Sequence, residues 1–306
     1  MIRFINEHRD RFSVEFICRT LTNHREGGFI SSRCYRQVTS RGPSTRALRD
    51  VALVETIGRI HADNYGVYGV RKMWHALRRE GIDIGREQTA RLMRLAGVSG
   101  KGKGRSPITT RQPGVPDVRP DLVNRKLKAQ GPHKLWVADI TYVRTRKGFV
   151  YAAFVTDVFS RKIVGWALSD SMQTEALPLQ ALNQAIISAK KTQGLVHHSD
   201  HGSQYVSLVY NERLAEAGIV PSTGTVGDSY DNALAENVNG SYKNELIHTR
   251  KWSDVAEVEI ATFEWVAWWN ERRLHQGLGY RCPVGVEEGF WSSCSEEEII
   301  ETKVFV

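Results

Sequence analysis

The chain has 306 residues, 41% of them hydrophobic, and a net charge of +8, which allows two domains with a buried core. Met1 to Arg11 is rich in Arg, Asp and Glu instead of apolar residues, and no later apolar stretch reaches membrane-spanning length; the expected compartment is therefore the cytoplasm, with no membrane partner. Cys18, Cys34, Cys282 and Cys294 lie too far apart for zinc-ribbon or dithiol pairs and are expected to be reduced and structural.

Phe4 to Leu21 has the spacing of a helix and leads into a connection rich in Gly, Ser and Arg through Arg49. Helical spacing returns at Val51 to His61, Gly69 to Glu80 and Arg86 to Leu95, with Gly81 and Gly85 bounding the last turn. This is a helix-turn-helix pattern whose final helix would present Arg86, Gln88, Thr89 and Arg91 to bases or phosphates. Plain three-helix packing explains the same stretch equally well.

From Gly100 to about Gln130 the chain turns to Lys, Arg, Gly and Pro, with Pro107, Pro113, Pro116 and Pro120 breaking regular structure. Lys101, Lys103 and Arg105 lie in this arm and are expected to bind DNA phosphates in a salt-sensitive way; a solubilising tether is the alternative. Residues 1 to 100 carry 18 Lys and Arg against 10 Asp and Glu, residues 101 to 130 carry 8 against 2, and residues 131 to 306 carry 16 against 22. A basic first part joined to an acidic second part points to a polyanion held by one and carboxylate chemistry in the other.

Beyond Pro132 the pattern changes to strands at Leu135 to Thr145, Gly148 to Asp157 and Lys162 to Ser169, a predicted antiparallel meander. A helix from Gln173 to Lys190, a strand from Gly194 to Ser199, a helix from Gln204 to Ala217 and a strand from Ile219 to Ser222 follow. That order predicts an α/β sheet with crossover helices. Helices from about Asp231 to Thr249 and from Ser253 to Asn270 come next, and the acidic end after Glu287 is expected to be solvated. Trp252, Trp265, Trp268 and Trp269 recur mostly at helical spacing and are expected in the core rather than stacked on bases.

Asp139 interrupts an apolar strand, where a carboxylate costs several kcal/mol unless something compensates it. Asp200 ends the short strand just before Gly202, where sheets of this kind present functional groups. Glu236 falls in the first turns of a helix, and Lys243, seven residues on, lies about 20° around and roughly 10 Å along from it. Three carboxylates from two strands and a helix suit hard cations, and Lys243 would reach a phosphate beside them. Glu245 lies on the opposite side of the helix and is rejected as a ligand. Asp228 and Asp231 read as helix-capping charges. Asp157 is a spare ligand or, better, a turn residue before Ser160 and Arg161. His197, His198 and His201 lack the partner that zinc needs and read as positioning groups.

These residues resemble the second reading frame of the IS3 family of bacterial insertion-sequence transposases, within the retroviral-integrase-like group, over nearly the whole chain. The most specific pieces are His198-Ser199-Asp200-His201-Gly202-Ser203-Gln204-Tyr205 and Ser229-Tyr230-Asp231-Asn232-Ala233-Leu234-Ala235-Glu236, with 35 residues between Asp200 and Glu236. Trp136 to Tyr142, Asp157 to Trp166, Asn270 to Tyr280, and Tyr65 to Gly97 add to it, whereas the expected Ser-Tyr-Tyr-Trp pattern is missing between Thr22 and Ser40.

The resemblance implies an α/β, ribonuclease-H-like mixed five-stranded sheet with flanking helices after an all-α helix-turn-helix region. The expected division is a helical segment over 1–49, a helix-turn-helix region over 50–100, a basic linker over 101–130, an integrase core with its C-terminal helix over 131–290 and an acidic tail over 291–306. It implies that Asp139, Asp200 and Glu236 are a DDE triad holding two Mg²⁺ or Mn²⁺ ions, with Lys243 as the basic residue of the same helix. Its partners would be the terminal inverted repeats and target DNA, further copies of itself, and an upstream-frame protein or a fusion with it. A ribonuclease-H-type nuclease without strand transfer and a DNA-binding regulator with an inert sheet are the competing readings.

Overall fold

The computed structural model describes residues 1–102, 122–123, 127–170, 177–189, 191–200, 202, 204–223 and 233–304. The chain divides into two compact units, residues 1–58 and 59–306. The first holds α1 (Ile2–His8), α2 (Val14–His24), α3 (Ser32–Ser40) and the start of α4 (Thr45–Asp63). The single helix predicted over Phe4 to Leu21 is thus two. Ser13 is the reason, because its hydroxyl accepts the Phe16 N–H at 3.3 Å and starts α2 afresh. Ser31 does the same for α3, accepting the Cys34 N–H at 3.2 Å, so the expected connection contains a helix. Ile5, Ile17, Cys18 and Tyr35 form the core of this unit, and the Tyr35 hydroxyl donates to Asn6 at 2.6 Å. All four cysteines are free, as expected, but Cys34 is exposed and is no core residue.

The second unit begins with the end of α4, α5 (Val70–Arg79) and α6 (Arg86–Leu95). Met73, Leu77, Leu92 and Met93 are buried between these helices, and Trp74 Nε1 donates to Ile84 O at 2.8 Å across the turn. Then come β1 (Leu135–Thr145), β2 (Gly148–Asp157), β3 (Ile163–Ser169), α7 (Pro178–Ser188), β4 (Val196–Ser199), α8 (Leu208–Glu216), β5 (Val220–Thr223), α9 (Ala233–Glu245), α10 (Val255–Glu271) and α11 (Pro283–Val304).

The five strands form one sheet in the order β3-β2-β1-β4-β5, antiparallel from β1 to β3 and parallel across β1, β4 and β5. This is the mixed, ribonuclease-H-like arrangement expected. Strand alternation sends Trp136, Ala138, Ala153 and Val155 toward α7 and α8, and Leu135 and Val137 toward α9. On the α7 face a Cβ at Gly165 would lie 2.0 Å from Ala181 O, so glycine is what lets the helix backbone close on β3. On the other face Phe154, Tyr242 and Trp265 meet edge to face, with centroids 5.0 to 6.1 Å apart. The acidic segment after Glu287 continues α11 to Val304, with Ser292 and Ser293 exposed on it. Its anchor is Glu287, which accepts from Lys162 Nζ at 2.8 Å and pairs with His133 Nε2 at 3.2 Å. Among the described residues no helix is long and apolar enough to cross a membrane.

Candidate active site

Two strands and a helix build the site. β1 and β4 run parallel with Ala138 opposite Ser199, so Asp139 and Asp200 follow as neighbours on adjoining strands, whose spacing is about 4.8 Å. Across the antiparallel pair Asp139 stands opposite Phe154. Alternation from Val137 puts Asp139 on the face covered by α9. There the Asn239 side chain donates to Asp139 Oδ2 at 2.8 Å, while Asp139 Oδ1 accepts its neighbour's N–H, from Ile140, at 2.8 Å. The Asp200 carboxylate accepts the Gly202 N–H at 2.9 Å, which turns the chain away at the strand end.

The charges at this spot oppose one another. Burial first, and then the charge of Asp200, pushes the Asp139 carboxyl up to about 7, against the pull of its two hydrogen bonds; Glu236 pushes it the same way. Glu236 is itself raised, by burial first and then by Asp200. Lys243, half-buried, has its Nζ 4.4 Å from the centre of the Tyr142 ring. Burial lowers its pKa while the Asp139 charge raises it. All four ionisable groups therefore act within one electrostatic neighbourhood.

In kind, the donors fit a divalent cation such as Mg²⁺ or Mn²⁺: oxygen ligands, mutual repulsion that a cation relieves, and a buried Asn239 Oδ1 without a hydrogen-bond partner beside Asp139. In closure they do not: among the described residues no three His, Cys, Asp or Glu side chains form a group able to hold a metal ion. Residue 201, which follows Asp200, and residues 224–232, which precede α9, lie outside the described set.

Several sequence expectations are corrected or resolved. Thr89 does not face a ligand; it is fully buried and its hydroxyl donates to Gly85 O at 3.0 Å, the place of a core threonine in a helix. On the same helix Arg86 is exposed and Gln88 and Arg91 are half-buried, while Lys101 is exposed. Lys103, Arg105, His201, Asp228 and Asp231 lie outside the described residues. Asp157 takes the turn role, accepting from Ser160 N and Oγ, both at 2.7 Å, and from His133 N at 2.9 Å. Glu245 is buried against Arg273, whose Nε donates to it at 3.0 Å.

His197 and His198 are buried, their rings at 3.0 Å from the Tyr210 hydroxyl and the Ser222 hydroxyl. Trp252, Trp265, Trp268 and Trp269 are core residues as expected. Asn239 is the residue that motif reading missed. Its signal is position: three after Glu236 and four before Lys243, it lies on the stripe of α9 that these residues share.

Comparison with known proteins fits this architecture. The family model described as an HTH-like domain matches residues 48–106, and two described as an integrase core domain match residues 129–229 and 217–283. The chain is 49% identical over 256 residues to the transposase for insertion sequence element IS629 of Shigella sonnei, covering 84% of this chain and 86% of that protein. It is 47% identical over 269 residues to a putative transposase for IS986/IS6110 of Mycobacterium tuberculosis, covering 86% and 96% of the two chains. It is 29% identical over 286 residues to transposase InsF for insertion sequence IS3A of Escherichia coli K12, covering 93% and 97%. With its integrase core set behind an HTH-like region, the chain belongs to the IS3 family of insertion-sequence transposases, a DNA transposase of the DDE polynucleotidyl-transferase class.

Proposed function

We propose that Asp139, Asp200 and Glu236 are the catalytic triad through which this transposase cleaves DNA strands and joins them. The observation that carries the reading is the position of Asp139: next to Asp200 on adjoining strands, under α9, with its carboxyl pushed up to about 7 by burial and acidic neighbours. Such a group gains from a bound cation. Two divalent ions, Mg²⁺ or Mn²⁺, held by the triad would supply an activated attacking oxygen and a stabilised leaving oxygen for in-line displacement at phosphorus. Asp139, Asp200 and Glu236 would hold the ions, and the cations would relieve the mutual repulsion that raises Asp139 and Glu236.

The chain's own groups supply the rest. Asn239 orients Asp139, and Lys243, on the same stripe of α9, contacts a phosphate of the strand being cut. Water first frees a 3′-hydroxyl at an element end, and that hydroxyl then attacks a second strand, one P–O bond replacing another without a covalent enzyme intermediate. Arg86, Gln88 and Arg91 on α6 and the basic arm with Lys101, Lys103 and Arg105 hold the DNA, which comprises terminal inverted repeats and target. The working form is at least a dimer on DNA, joined by or fused to an upstream-frame protein, in the cytoplasm at the nucleoid.

The test is a 3′-end joining assay on terminal-repeat DNA with Mg²⁺. The parent yields joined product, whereas Asp139→Asn, Asp200→Asn and Glu236→Gln yield none and still bind DNA. Hydrolysis without joining in the parent makes it a nuclease, and full activity in Asp139→Asn removes the triad.

A further inference from the structure

A cavity of about 400 Å³ opens between the start of α5, the chain at Lys101, α9 and the turn after α10. It lies on a different flank of α9 from the carboxylates, since Ser241 follows Glu236 by five positions, about 140° around a helix. Arg71, Lys72 and Lys101 line it, together with Ser241, Asn244 and Tyr280. Glu245 also lines it, but that carboxylate is bound by Arg273 through Nε at 3.0 Å and Nη2 at 2.5 Å. The lining is therefore positive.

α5 begins at this cavity. Its N-cap is Gly69, which offers no side chain to the N–H groups of the first turn, and Val70 and Arg71 of that turn line the cavity. Such groups favour an anion. Gly100 brings up the opposite wall: a Cβ there would lie 2.5 Å from Gly69 Cα, so only glycine lets the chain cross the start of α5. Asn244 Nδ2 then donates to Gly102 O at 3.3 Å and ties the same segment to α9. An independent sign of a ligand is Ser241, 2% exposed on the cavity wall, with a hydroxyl that has no hydrogen-bond partner. A helix serine ordinarily bonds back to the preceding turn; this one is left to another acceptor. Lys101 and Lys243 both act on the His248 imidazole, whose pKa is lowered by burial first and then by these two charges.

We propose that this cavity is a phosphate site that holds a DNA backbone phosphate away from the scissile one, with the first turn of α5, Arg71, Lys72 and Lys101 supplying charge and Ser241 a hydrogen bond. The proposal rests on the chain acting on DNA but not on the role of the triad. The shared chemistry is a phosphate group, and its two sources are the DNA backbone and a free phosphate.

The experiment measures duplex binding by the full chain at several salt concentrations, and inorganic phosphate binding by ³¹P line broadening. Lys72→Gln is expected to flatten the slope of log affinity against log salt by about 0.9, the share of one backbone contact, and Lys72→Arg to restore it. Ser241→Ala is expected to weaken DNA binding about threefold with the slope unchanged, because it removes a neutral donor. Phosphate broadening is expected in the parent and lost in Lys72→Gln and Ser241→Ala.

Parent-like affinity and slope in both folded variants overturn the site. Phosphate broadening that both variants lose, with DNA binding unchanged, makes it a free-phosphate site and overturns the DNA assignment. Asp139→Asn runs alongside: failure of the triad reading leaves it active in joining, and failure of the phosphate site leaves the salt slopes unmoved.

Discussion

Asp139 shows how one residue can be both costly and retained. Its carboxyl is buried in the sheet face under α9, within reach of the charges of Asp200 and Glu236, with an ordinary pKa of 3.8 raised to about 7. The folded value lies above the unfolded one, so the stability this group contributes is full below about pH 4 and is lost as pH rises through 7. Without metal, Asp139→Asn should therefore gain on the parent by up to roughly 1.4 kcal/mol per pH unit across that window, read as urea unfolding midpoints. Parent-like behaviour at pH 8 would show that Asp139 is not strained.

Asn239 pulls the Asp139 pKa down through its hydrogen bond. Asn239→Ala should therefore shift the acid limb of Mg²⁺-dependent joining to higher pH by about one unit, with joining at high pH largely kept. An unmoved limb would reduce Asn239 to packing.

At the scale of elements, Glu245 on α9 and Glu287 on α11 each hold a helix to its neighbours through ion pairs. The buried Arg273–Glu245 pair joins the turn after α10 to the end of α9, with the Arg273 guanidinium 4.4 Å from the Trp269 ring centre. Arg273→Leu strands a buried carboxylate and should cost about 3–5 kcal/mol, whereas the double change with Glu245→Leu recovers most of it. A double-mutant cycle in urea measures the difference. His275 beside it is lowered to about 2, by burial first and then by Arg273. Its folded pKa lies below the unfolded one, so its share of stability is present above about 6.5 and lost as pH falls.

Glu287 on α11 is held at about 2, by its hydrogen bond with His133 first and also by Lys162. It stabilises the fold above about pH 4.5, an effect lost as pH falls toward 2. Glu287→Gln should lower stability by about 1–3 kcal/mol at pH 7 and remove that acid slope, by thermal or urea unfolding.

At the scale of the molecule, the net charge of +8 hides a division, with the basic excess before residue 130 and the acidic excess after it. Binding to DNA should therefore weaken steeply with salt, while excess EDTA should abolish joining and leave binding unchanged. Binding lost with the metal would mean that the carboxylates, not the basic part, hold the DNA.

Much of this was legible in the chain alone. Apolar alternation set the three-stranded meander, β1 and β2 fall on their predicted bounds, and α6 spans the predicted Arg86 to Leu95. The spacing from Asp200 to Glu236 identified the family, because motifs are local and periodicity is a property of neighbouring residues. Other features turn on a local competition that periodicity does not resolve, or on residues distant in the chain. The break at Ser13 turns on whether a hydroxyl caps or merely sits in a helix. The burial of Thr89, the reach of Asn239 to Asp139 across 100 positions, and the meeting of Gly69, Lys101 and Ser241 around one cavity follow from packing. No local pattern encodes them, because a side chain's burial and partners are set by whichever surface the rest of the fold brings against it.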